Sequence, residues 1–154
     1  MKDNVYINIK GLQLTPDTGE EPESEDEDVI EIINAGKYNV INGKEYVKYD
    51  EVIEGEKQKN SCMLKIDRNN NTVEITKKGP VTVHMSFVQN EKTMTYYDTP
   101  YGSIYLGIFS RNVNIEDKED RINISIDYSL ELNYEQVSDC KVDIEITPKG
   151  QLKL

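Results

Sequence analysis

The sequence predicts an all-β domain: an antiparallel meander of about eight to ten strands, closed or nearly closed into a barrel. Three observations predict it. Apolar and polar residues alternate with a period of two through most of the chain, the pattern of strands with one buried face. Short turn signals separate these runs, so successive strands pair as antiparallel neighbours. A flat sheet of so many strands would leave two long edges open to aggregation, and closure removes them.

The strands fall at about residues 4–13, 29–41, 45–54, 60–67, 72–78, 80–88, 92–99, 103–115, 120–134 and 139–147. Asn42-Gly43 joins the second and third as a type I′ hairpin dipeptide. In 45–54 the apolar face carries Val47, Tyr49 and Ile53; in 60–67 it carries Cys62, Leu64 and Ile66. Asn69-Asn70-Asn71 suits the left-handed backbone of the turn that follows. In 72–78 Val73 and Ile75 share a face, and in 80–88 Val83, Met85 and Phe87 do. The links around Gln89-Asn90-Glu91, Pro100-Tyr101-Gly102 and Asp117-Lys118-Glu119-Asp120 are polar or rich in Gly and Pro. The clearest alternation is Ile122, Ile124, Ile126, Tyr128, Leu130, Leu132 and Tyr134 on one face of 120–134. Cys140, Val142, Ile144 and Ile146 repeat it in 139–147. The long strands 103–115 and 120–134 can bend to serve both sides of a barrel. A two-sheet sandwich is the competing arrangement of the same strands.

The chain has 154 residues, one domain's length, and a net charge of −11. The charge is local. Eight acids and no base lie between Asp17 and Asp28; the other 21 acids face 18 bases. Residues 15–28 also hold Pro16, Gly19 and Pro22, and such a composition predicts a mobile loop. An acidic chain repels phosphate backbones and anionic lipid, so nucleic acid and membrane surfaces are not the expected partners. The two cysteines and the lack of any signal-like or membrane-spanning apolar run point to the cytoplasm, and the abundant isoleucine, lysine and asparagine suggest an AT-rich bacterial genome.

Gly36-Lys37-Tyr38, Val47-Lys48-Tyr49-Asp50-Glu51, Lys77-Lys78-Gly79 and Tyr97-Asp98-Thr99-Pro100-Tyr101-Gly102 follow one another in an order that resembles the YwiB-like family of small, uncharacterised bacterial proteins. Where that family usually carries arginine before the x-Gly pair, this chain has Lys77. The resemblance covers about residues 29–147 and implies a calycin-like, lipocalin-type barrel. It implies no established activity.

Strand parity picks out two ionisable residues. Glu51 shares a face with Val47 and Tyr49, and Lys77 shares one with Val73 and Ile75. Burying either alone is expensive, so the two are expected to meet near one end of the barrel. Tyr97 and Thr99 precede the Pro100-Tyr101-Gly102 turn and could line a barrel mouth. Arg111, a base in mid-strand, could help hold an anion. Glu51, Lys77, Tyr97, Thr99 and Arg111 are therefore the candidate contacts for a small apolar or amphipathic ligand. The ten tyrosines are first read as core filling and surface pairing, and second as the lining of a semi-polar cavity. His84, the only histidine, lies on the polar face of its strand, and Cys62 and Cys140 read as buried, inert thiols. No zinc-ligand spacing, phosphate loop, nucleophile elbow or paired-carboxylate motif is present, so neither catalysis, metal nor cofactor is expected. The rival reading is a protein-interaction or regulatory module whose acidic loop at 17–28 engages a basic partner.

Overall fold

The computed structural model describes residues 3–12, 31–52 and 58–149, the side chains of Thr99, Gln136 and Val137 excepted. The acidic run at 15–28, and the loop expected there, fall outside the described residues. Ten strands follow in order: β1 (Asn4–Lys10), β2 (Glu31–Ile41), β3 (Lys44–Val52), β4 (Lys59–Asp67), β5 (Thr72–Lys78), β6 (Val83–Val88), β7 (Lys92–Thr99), β8 (Gly102–Lys118), β9 (Arg121–Leu132) and β10 (Glu135–Pro148). They form one antiparallel sheet ordered β6-β5-β4-β3-β2-β1-β10-β9-β8-β7. Consecutive strands are neighbours except at β6 and β7, the two edges, while β10 returns beside β1.

The sheet curls until its edges touch. Thr82 and Asp98 exchange backbone hydrogen bonds of 3.0 and 2.9 Å, and the Thr93 hydroxyl donates to the Ser86 carbonyl at 2.7 Å. These contacts replace a full ladder, so the barrel is nearly closed, with a seam between β6 and β7. No helix among the described residues is long and apolar enough to cross a membrane.

The expected inward faces form the core. Ile122, Ile124, Ile126, Tyr128 and Leu130 of β9 are buried, as are Val142, Ile144 and Ile146 of β10. Phe87 and Tyr128 meet edge to face, with ring centroids 5.2 Å apart. The alternation misleads at Tyr134, expected on the inward face of β9. β9 ends at Leu132, and Asn133 and Tyr134 adopt φ of 48° and 73° in the turn to β10. Tyr134 is 74% exposed and packs on Tyr105 outside the barrel. A tyrosine at positive φ is uncommon, so the dipeptide carries no turn signal. Asn42-Gly43, with φ of 53° and 78°, makes the left-handed turn its composition predicts.

The two ends of the barrel differ. At one, Arg68 reaches from the β4–β5 turn to Glu45 of β3 at 2.6 Å and to both carboxylate oxygens of Asp117 of β8 at 2.8 Å. Asn71 adds a hydrogen bond to the Val113 carbonyl at 2.7 Å. This end is latched across its width by a bidentate Arg–carboxylate pair. The other end is where β3, β5 and β7 finish and β4, β6 and β8 begin.

Candidate functional site

The unlatched end holds the polar side chains that the inward faces carry. Register aligns Gly36 with Tyr49, Tyr49 with Cys62, Cys62 with Lys77 and Lys77 with Val83, a single ring across β2 to β6. Glu51 stands opposite Asn60, one step nearer the mouth. Lys77 and Glu51 meet as their parity requires: Lys77 Nζ donates to Glu51 Oε2 at 2.8 Å. Their side chains are 9% and 17% exposed.

Asn60 completes the pair. Its Nδ2 donates to Glu51 Oε1 at 3.0 Å, and its Oδ1 accepts the Val81 backbone N–H at 3.2 Å. Both carboxylate oxygens are thus occupied. Gly79 permits this arrangement. A Cβ there would lie 2.6 Å from Asn60 Oδ1 and 2.9 Å from the Lys59 carbonyl, at a φ of +154°. Sequence reasoning did not single out Asn60. Its signal was its place two residues before Cys62 on the inward face, where a buried amide needs partners.

Burial alone would raise the Glu51 pKa, but the Lys77 hydrogen bond and charge outweigh it and hold the carboxyl below its ordinary 4.5. Burial pushes the Cys62 thiol up to about 11; Glu51 reinforces the shift and Lys77 opposes it. The neighbouring Tyr49 hydroxyl is raised by burial too, with Cys62 and Glu51 adding to it. Sulfur is a weak acceptor, and no oxygen or nitrogen among the described residues completes a hydrogen bond to that hydroxyl. Tyr97 turns inward from β7, half-buried, and burial with the Glu51 charge raises its pKa.

At neutral pH Glu51 is ionised with both oxygens engaged, and Cys62 and Tyr49 are protonated. With Cys62 and Cys140 4% and 7% exposed, neither thiol should react readily with Ellman's reagent at pH 8 in the native protein. Both should react at once in denaturant. A native thiol that titrates within seconds would show that this end is open to solvent around Cys62.

Of the other expected contacts, Thr99 pairs with Gly102 at the turn, and its side chain lies outside the described residues. Arg111 does not join the group. A bulge between Ser110 and Asn112 turns it to the outer face, where it pairs with Asp139 at 3.1 Å and bonds the Ser129 hydroxyl. His84 is exposed, between the Thr76 hydroxyl at 2.8 Å and Glu74 at 3.1 Å. Four tyrosines serve packing: Tyr128 in the core against Phe87, and Tyr96, Tyr105 and Tyr134 on the outer face with centroids 4.8 and 5.5 Å apart.

Segments far apart in the chain thus meet on one stretch of wall, and they are those that carry the resemblance noted above. A family model described as a domain of unknown function, DUF1934, matches residues 16–144. The chain belongs to that family. Its fold is similar to the crystal structure of the ywiB protein from Bacillus subtilis, with a TM-score of 0.72 and 20% sequence identity. That match covers 95% of this chain and 92% of the other. The resemblance to YwiB-like proteins therefore holds at the level of fold and family. No protein with a curated description matches the chain.

Proposed function

We propose that this DUF1934 protein is a non-catalytic, cytoplasmic, calycin-like barrel that binds a small amphipathic molecule at its unlatched end. The observation that carries the reading is the Glu51–Lys77 pair, an ion pair with Asn60 beside it, buried on an inward surface that is otherwise mostly apolar. A pair like this contributes little net stability, because desolvation offsets the Coulomb attraction. It gives a polar head group a fixed donor and acceptor. Val81, Tyr97, Ile104 and Leu132 surround this end, half-buried and packed against the core, and offer an apolar tail a partner. The unpaired Tyr49 hydroxyl adds a polar group below the pair. Middle and far end are filled and latched, so the ligand sits at the mouth and does not thread the barrel.

The test is a fluorescence titration with 1-anilinonaphthalene-8-sulfonate, an amphipathic probe, alongside native mass spectrometry of protein purified from a bacterial host. One probe should bind per chain. The Glu51→Leu/Lys77→Met variant, which keeps the volume and removes both charges, should weaken it at least about ten-fold, equivalent to about 1.4 kcal/mol. Equal binding by wild type and this variant, with circular dichroism unchanged, would refute the reading.

A further inference from the structure

The outer face of the same wall carries a second feature. A cleft of about 660 Å³ lies over β2 to β5, lined by Ala35, Gly36, Tyr49, Cys62 and Met63 among others. Lys37, Lys48, Lys78 and Lys149 line it. Most other outward bases have acidic partners: Lys65 pairs with Glu74 at 3.3 Å directly across the strands, Lys59 with Asp50 at 2.9 Å, and Arg121 with Glu145 at 3.2 Å. Among the described residues six lysines have no ion-pair partner, and four of them are these; Lys10 and Lys141 are the others. Among the described residues the one acid in the cleft, Asp50, is engaged by Lys59.

The arrangement works against the fold. Lys37 and Lys48 stand directly opposite each other in the β2–β3 ladder. Like charges so placed repel, and an acid at either position would relieve them. Their lateral neighbours in the same row, Asn4 and Met63, carry no charge. No acid among the described residues pairs with any of the four lysines around this concavity.

We infer that this cleft binds a small molecule bearing a multiply charged phosphate group on an apolar body. Lysine ammoniums are compact point charges suited to phosphate oxygens. Ser61 and Thr76 add hydroxyl donors, and Ala35 and Met63 offer an apolar surface. The volume falls within the range of small-molecule sites. A long polyanion would run from the cleft onto a surface of net negative charge, which disfavours nucleic acid. This site is on the opposite side of the wall from the Glu51–Lys77 pair and stands independently of it.

The experiment is isothermal titration of the full chain at low salt with inorganic tripolyphosphate, with ATP and with adenosine. Tripolyphosphate and ATP should saturate one site, with ATP the tighter and adenosine at least about ten-fold weaker than ATP. Lys37→Gln/Lys48→Gln should weaken both anions at least about ten-fold, while Lys141→Gln, which neutralises an unpaired lysine outside the cleft, should change them less than about two-fold. Without ligand, the double variant should melt no lower than the wild type, because it relieves an opposed pair of like charges. Absence of saturable binding by either anion up to about 1 mM, or equal sensitivity to Lys141→Gln, would overturn the inference. So would a single-stranded oligonucleotide that binds far more tightly than ATP through the same lysines. Glu51→Leu/Lys77→Met should leave anion binding intact, so failure here and failure of the mouth site are told apart.

Discussion

Lys77→Met is expected to lower the unfolding free energy by about 3 kcal/mol, because it leaves the buried Glu51 carboxylate without its counter-charge. For a chain of this length that is a fall in Tm of roughly 10 °C. Glu51 keeps only the Asn60 amide at 3.0 Å, and a hydrogen bond does not replace a charge in a poorly solvated site. Glu51→Leu combined with Lys77→Met should recover most of the loss, since the ring of Tyr49, Cys62 and Val83 around it is already apolar in large part. Chemical denaturation of the two single variants and the double checks the coupling. Additive losses would mean that the pair is solvated and not coupled. The acid limb gives a second readout. Glu51 is held below its ordinary pKa of 4.5 in the folded protein, so its contribution is full above that value and is lost as pH falls through the lower folded one. Wild type should therefore lose stability relative to the double variant below about pH 4.5 and not above it.

Phe87→Ala should be the most damaging single core change, at about 4 kcal/mol. Phe87 is fully buried on β6, and its ring meets Tyr128 from across the barrel. Its position at the seam increases the effect. β6 has a full ladder on the β5 side only, and toward β7 it is held by Thr82–Asp98 and the Thr93 hydroxyl on the Ser86 carbonyl. The interior packing of Phe87 therefore supplies adhesion that backbone pairing supplies to the other strands. Denaturant midpoints measure the loss, and amide exchange localises it. Exchange should accelerate in β6 well beyond its increase in β9. A uniform increase across the barrel would mean that the seam opens only with global unfolding.

How far the molecule was legible in its sequence follows from how local each kind of information is. The ten strands were readable because a half-buried strand must alternate, and the pattern needs only its own residues. The Glu51–Lys77 contact was readable for a related reason: two inward charges on nearby strands of an apolar barrel have few other ways to be neutralised. Tyr134 was misread because the turn that ejects it rests on unusual backbone angles for tyrosine. Arg111 was chosen as a base in mid-strand, and the bulge that leaves it on the outer face makes no mark in composition. Asn60 and Gly79 escaped because their roles exist only with respect to each other, 19 positions apart.

The sequence alone therefore determined the class of fold and, within the regular part of most strands, which side chains turn inward, since a period of two is written within each segment. Tertiary structure decided which end is latched by Arg68, where the seam falls, and which lysines gather over β2 to β5. Those outcomes depend on register between segments tens of residues apart, and register is set by the packing of the whole core, which no single stretch of the chain contains.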